Sequence, residues 1–320
     1  LISNPVEMTI WMVITTVVCF GICSLGLQEG VEKVTKFTMT LLLAIIVVLA
    51  VKSMTLPNAS KGLRFYLMPD INSVKEHGIW ETIFAAMSQA FFTLSIGIGS
   101  LAIFGSYIDK ERRLLGESIN IAVLDTAISL IAGLIIFPAC FAFNVDPGEG
   151  PGLVFITLPN IFNSMSGGRI WGSLFFIFMT FAAYSTVIAV FENIISFGVD
   201  LWGWSRKKAS FINVILLIVL SLPCVLGFNV LSWIQPLGEG TGILDLEDFI
   251  ISYNLLPLGS LVYLLFCVSR YGWGFENYME EVNEGKGMKM PRALRGYLTW
   301  VLPAIIFVVL IQGYINVFGK

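Results

Sequence analysis

Eight stretches of this chain are too long and too apolar for a soluble protein. They lie near 8–27, 37–54, 82–105, 119–144, 169–198, 211–233, 248–269 and 296–317, and a hydrocarbon layer of about 30 Å is crossed by roughly 20 helical residues. Of the 320 residues, 56% are hydrophobic and only 13% charged, about half the charged share of an average soluble domain. The runs are continuously apolar and lack the two-residue alternation of a membrane barrel. Helices are then the form that satisfies every backbone group in lipid. The sequence therefore predicts an all-α polytopic membrane protein, a single transmembrane domain over 1–320.

The charge balance narrows the function classes. A net charge of −3 offers no basic excess for nucleic acid. The five cysteines, at 19, 23, 140, 224 and 267, all fall in apolar stretches and read as small core residues rather than a disulfide or metal framework. The one histidine, His77, stands in a polar loop, so histidine-based metal or triad chemistry is excluded, and the expectation is that the protein is not an enzyme. Orientation follows from the basic residues. The loops 28–36, 106–118, 199–210 and 270–295 hold 13 of the 19 Lys and Arg, which marks them as cytoplasmic and puts both ends of the chain outside the cell membrane. The chain opens Leu1-Ile2-Ser3-Asn4-Pro5, with neither methionine nor a charged lead-in. That beginning reads as a cut end, and an external first residue calls for an odd number of spans ahead of it.

Polar residues interrupt the spans at a few points. The third span carries Gln89 and then Phe91-Phe92-Thr93-Leu94-Ser95-Ile96-Gly97-Ile98-Gly99-Ser100. This is either a helix break lining a cavity, with carbonyls for a hard cation and amides for a carboxylate, or close helix packing through small residues. Asp125 lies about two turns inside the fourth span, where an uncompensated acid costs about 2.5–3.5 kcal/mol on insertion scales. A bound cation and a protonated structural aspartate are both open readings, and Ser129 shares its face. In the fifth span Ala182, Ser185 and Thr186 form one small hydroxyl-bearing patch. It suits either a cation or hydroxyls bonded back to their own helix. Glu192 is a second deep acid, read as structural. Outside the spans, the 55–81 loop and the apolar 155–162 patch after Asp146-Pro147-Gly148 exceed simple connectors, the latter suiting a short helix on the membrane or over a vestibule. Asp245, Glu247 and Asp248 open the seventh span, where acids complement a helix N-terminus.

Taken together these features resemble the neurotransmitter:sodium symporter family, especially its bacterial amino-acid transporters. The resemblance runs through Gly30-Val31-Glu32-Lys33, Gln89 to Tyr107, Phe155-Ile156-Thr157-Leu158-Pro159, Phe181 to Glu192, and Trp273 to Pro291. It implies a leucine-transporter-like inverted-repeat fold in which these spans are helices four to eleven. Helices one to three, the broken first of which supplies about half of the sodium and substrate contacts in that fold, are absent from this sequence, so they are the expected partner, on the same native chain or a separate one. The 320 residues by themselves are not expected to transport.

The same resemblance assigns residues. Thr93 and Asp125 look like ligands of a first sodium site, and Ala182, Ser185 and Thr186 like a second. Phe92, Thr93, Ser95, Ile98, Thr186 and Val190 look like the wall of the amino-acid pocket, with the freed amides and carbonyls of 92–98 serving the zwitterion. Asp248 matches an external gate acid, and Tyr107 with Asp200 a cytoplasmic gate, the arginine of each lying on the absent first helix. Sodium is the implied coupling ion, with no organic cofactor. Chloride is not expected to be required, because chloride-dependent relatives rely on a serine at the Ser129 position and Asp125 already supplies charge one turn away. Where bacterial relatives have proline ten positions after glycine, Gly30 is followed by Thr40, which keeps its backbone amide and makes unwinding there harder. The implied activity is sodium-coupled symport of a neutral, hydrophobic amino acid. The rivals are a proton-coupled permease in which Asp125 or Glu192 titrates, and a non-transporting accessory subunit or relic. A heptahelical receptor fits eight crossings poorly, and a two-aspartate protease fails because Asp200 lies at the membrane edge.

Overall fold

In the computed structural model, residues 3–68, 70–145 and 153–318 are described. Asp146-Pro147-Gly148, Pro69 and the first two residues lie outside them. In chain order the α-helices are α1 (Pro5–Ser24), α2 (Lys33–Met54), α3 (Ala59–Leu67), α4 (Ile71–His77), α5 (Ile79–Thr93), α6 (Ser100–Ser106), α7 (Leu114–Ala142), α8 (Leu158–Ser164), α9 (Gly168–Trp202), α10 (Arg206–Gly227), α11 (Ile243–Ile250), α12 (Leu256–Val268), α13 (Phe275–Val282) and α14 (Leu302–Phe318). Wider π-helical turns, Ile251–Leu255 and Tyr297–Val301, join α11 to α12 and open α14. Seven helical stretches among the described residues are long and apolar enough to cross a membrane. The 82–105 stretch is different, because it folds as α5 and α6 with a non-helical step between them.

The chain divides into two compact units. The first comprises Leu1–Gly26, Gly78–Ala122 and Ala189–Lys320, and the second Leu27–His77 and Val123–Ile188. In the first unit α1 packs along α10 and α12 along α14, and Phe20 stacks on Phe191 at 3.9 Å. A small lobe forms around Phe275, Met279, Val282 and Met290. The loop after α6 is fastened to this lobe chiefly through backbone. The Lys286 amide donates to the Glu111 carbonyl at 2.7 Å and the Arg113 amide to the Lys286 carbonyl at 3.2 Å. The Arg113 guanidinium donates to the carbonyls of Asn283 (2.9 Å) and Gly287 (2.7 Å). Gly285 permits this approach, with φ +88 and a position where a Cβ would stand 2.5 Å from the Lys110 carbonyl oxygen.

Across the same seam Lys110 pairs with Glu284 at 3.0 Å, but its side chain is 70% exposed. A hydrogen bond and charge from Glu284 hold its ammonium above the ordinary lysine range. An exposed pair of this kind adds little to stability, because water screens the charges and two long side chains must be held still. Lys110→Ala is therefore expected to leave the melting temperature in detergent nearly unchanged. Gly285→Ala meets backbone and a left-handed φ together, so a loss of about 2–3 kcal/mol is expected. Equal melting shifts for the two variants would show that the side-chain pair, not the backbone seam, fastens the loop.

The second unit is built on a core that includes Ile46, Leu49, Leu158, Ile161 and Phe175, all nearly or fully buried. Its helices approach closely wherever side chains are small, the usual device of membrane interiors. A Cβ on Gly62 would lie 2.6 Å from the Phe137 carbonyl oxygen, and Gly133 lies beneath the Tyr66 ring, which stacks on Phe137 at 4.7 Å. Ser53 donates to the Ile135 carbonyl at 2.6 Å. The apolar 155–162 patch contributes π-helical Leu153–Thr157 and α8. Leu158, Ile161 and Phe162 are buried in the core, whereas Phe155 and Ile156 are exposed. α8 is thus a packed element of this unit with one apolar edge outward.

Candidate functional site

The break between α5 and α6 is dictated by backbone geometry. Ser95 (φ +50), Gly97 (φ +93) and Gly99 (φ +95) alternate in the left-handed region, and no right-handed helix continues through such a sequence. The chain closes on itself in short turns. The amides of Ser95 and Ile96 donate to the carbonyls of Phe92 and Phe91 at 3.0 and 3.1 Å, and that of Ile98 to the Ser95 carbonyl at 3.4 Å. The break is therefore real, but several of the amides expected to be free are engaged within it. Among the described residues the amides of Gly97 and Gly99 donate to no backbone acceptor.

Two glycines lock the break to α12. A Cβ on Gly97 would lie 2.3 Å from the Leu256 carbonyl oxygen, and one on Gly259 would lie 2.3 Å from the Gly97 carbonyl oxygen. On the other side Asn193 of α9 donates from Nδ2 to the Ile98 carbonyl at 3.0 Å. The expected pocket-wall residues Phe92, Thr93, Ser95 and Ile98 are brought together by these turns. Phe92 and Thr93 are exposed and Ser95 and Ile98 half-buried. Val190, half-buried on α9, belongs to the same unit. Thr93 ends α5.

The second unit holds Asp125, half-buried on α7 one turn before Ser129, and the patch on α9. There Ser185 Oγ donates to the Ala182 carbonyl at 2.7 Å and Thr186 Oγ1 to the same carbonyl at 3.4 Å. The hydroxyls therefore bond back to their own helix, the structural alternative left open by the sequence. Both hydroxyls thus meet one carbonyl oxygen, and oxygens are the donors a small hard cation takes. Thr40 likewise bonds back to the Lys36 carbonyl at 2.8 Å, within α2.

The expected gate residues lie on α11, just past α6 and on α9. Asp248 on α11 is exposed and accepts from Ser252 at 2.7 Å, while Asp245 accepts from the Gly242 amide at 2.6 Å and so caps the helix. Asp200 is exposed further along α9, and Tyr107 stands just past α6. Its hydroxyl donates to Glu192 Oε1 at 3.0 Å and lies 3.0 Å from Ser196 Oγ. Burial raises the phenol above the ordinary tyrosine range, so it remains a donor at neutral pH.

Glu192 is fully buried and meets Arg206 in a bidentate pair, with Nη2 to Oε2 at 2.7 Å and Nη1 to Oε1 at 3.0 Å. Arg206 also donates to the Cys23 carbonyl at 2.8 Å. Sequence reasoning marks Glu192 as structural but counts Arg206 only among the cytoplasmic basic residues. One signal of the pair is available. Arg206 is the first residue of α10, where a cation opposes the helix dipole, so its place there requires another partner.

Residues 2–319 match the sodium:neurotransmitter symporter family. Among curated proteins, an uncharacterized sodium-dependent transporter of Bacillus subtilis is 31% identical over 266 residues, covering 83% of this chain and 58% of that protein. One from Haemophilus influenzae is 28% identical over 315 residues, covering 97% of this chain and 66% of that protein. The chain thus spans roughly three fifths of the length of these relatives. Among solved structures, MhsT in complex with L-phenylalanine superposes with a TM-score of 0.85 at 36% identity, over 98% of this chain and 69% of that one. The expected leucine-transporter-like, all-helical membrane fold is thereby established, and the relatives are transporters rather than enzymes. The chain belongs to the sodium:neurotransmitter symporter family.

Proposed function

We propose that these residues are the helix-four-to-eleven part of a transporter that couples sodium to uptake of a neutral, hydrophobic amino acid by alternating access. The single observation that carries the reading is the broken helix at 94–99, with two glycine amides without a backbone acceptor beside the apolar side chains of Phe92 and Ile98. Irregular backbone at membrane depth is tolerated where it lines a cavity or binds a ligand. The L-phenylalanine held by MhsT in its crystal structure supports an aromatic or aliphatic substrate. In this reading Thr93 and Asp125 hold one sodium ion, and Ala182, Ser185 and Thr186 the other. Asp248 serves the outer gate, and Tyr107 with Asp200 the inner one. Helices one to three supply the rest of the site. Chloride is not needed, and both ends of the 320 residues face the outside of the cell membrane.

The test uses the native protein that contains these residues, its intact mass determined first. Sodium-dependent binding of L-phenylalanine is expected, unchanged by replacing chloride with gluconate. Thr186→Val with Ser185→Ala removes two of the three oxygens, and the sodium concentration for half-maximal binding is expected to rise about tenfold, the equivalent of about 1.4 kcal/mol. Binding that follows pH and ignores sodium would overturn the proposal in favour of the proton-coupled permease. The engagement of Glu192 by Arg206 speaks against a titrating role for that acid.

A further inference from the structure

The inner half-helix α6 is held at both ends by one short stretch of α9. Ahead of it, Asn193 donates to the Ile98 carbonyl at 3.0 Å. Behind it, Tyr107 engages Glu192 and Ser196. The two tethers start from adjacent residues, 192 and 193, which point in different directions around a helix. A Cβ on Gly99 would come within 2.7 Å of the Tyr263 hydroxyl and 3.2 Å of Asn193 Nδ2, so the glycine that permits the turn also makes room for both side chains. A carbonyl at a helix break has no helical partner, and this one is taken by a side chain.

We propose that Asn193 is a positioning residue. By occupying the Ile98 carbonyl it fixes the orientation of the break, and hence of the Gly97 and Gly99 amides, relative to α9. With Asn193 and Glu192 both engaged, α6 cannot swing from either end without losing a partly buried hydrogen bond. The consequence for ligand binding rests on the transport reading above, whereas the clamp itself does not.

The experiment is hydrogen–deuterium exchange on the full-length protein in nanodiscs, with Asn193→Leu and Asn193→Asp. Both keep approximately the size of the side chain and remove its donor. Exchange of the peptide covering 98–107 is expected to rise about tenfold in both variants, as for loss of one partly buried hydrogen bond, with α10 and α11 unchanged. Sodium-dependent L-phenylalanine binding is expected to weaken by a similar factor. Unchanged exchange at 98–107 would overturn the proposal. A rise spread over all helices would also overturn it, assigning Asn193 to general packing, and a rise in the aspartate variant alone would assign the effect to charge. Should the unsubstituted protein bind no amino acid while the local exchange responds as expected, the transport reading fails and the clamp stands.

Discussion

Gly97→Ala and Gly259→Ala should each leave a protein that melts markedly earlier in detergent. The two glycines face each other across the break and α12, and in each case the new methyl would stand 2.3 Å from a backbone carbonyl oxygen. Backbone has no rotamer to change, so relief requires the break and α12 to separate. Overpacking of this kind costs about 1–3 kcal/mol. At Gly97 the left-handed φ adds about 1–2 kcal/mol for any residue with a Cβ. Gly97→Ala is therefore expected to be the worse of the pair, and both worse than Gly105→Ala, whose Cβ would meet nothing within 4 Å. Thermal unfolding of the three variants side by side is the measurement. Equal stability of Gly97→Ala and Gly105→Ala would mean that the break does not pack on α12 as described.

Arg206→Met is expected to be the second severe change. It leaves the fully buried Glu192 with its charge uncompensated, and removing one partner of a buried pair costs about 3–5 kcal/mol. Glu192→Gln retains an acceptor for Tyr107 and is expected to cost less. The double variant Arg206→Met with Glu192→Met should recover most of the loss, since replacing both members of a buried pair by apolar groups is often neutral. A double variant as unstable as the sum of the singles Arg206→Met and Glu192→Met would show that the pair's value lies in its further bonds to Tyr107 and the Cys23 carbonyl. The cycle measures the coupling directly.

What the sequence made legible, and what it hid, divides along a physical line. Membrane helices are visible because about 20 successive apolar residues have almost no other use, and the break at Gly97 and Gly99 was visible as one of two readings because glycines at mid-span are costly. Choosing between those readings needed φ. Two glycines that only pack small would have stayed right-handed, and the third left-handed residue, Ser95, has no compositional mark. The Glu192–Arg206 pair was hidden for a different reason. Its members are 14 residues apart on successive helices, and basic residues at a span's end are ordinarily read as facing water. Asn193 was hidden because an asparagine beside a glutamate near a helix's inner end looks like polar edge. Of the carried-over gate residues, Tyr107 meets Glu192 and Ser196, partners that side-chain reach decides and spacing does not.

The bidentate meeting of Glu192 and Arg206 also has an electrical consequence. Each charge alone, moved across the whole membrane field, would exchange about 2.3 kcal/mol with every 100 mV of potential. Moved together they exchange almost nothing, because the pair is neutral and the potential acts only on its small dipole. A rearrangement that keeps this pair intact would therefore draw almost nothing from the membrane potential. Arg206→Met would place one uncompensated negative charge in the field and give the same step a voltage sensitivity that the native pair cancels.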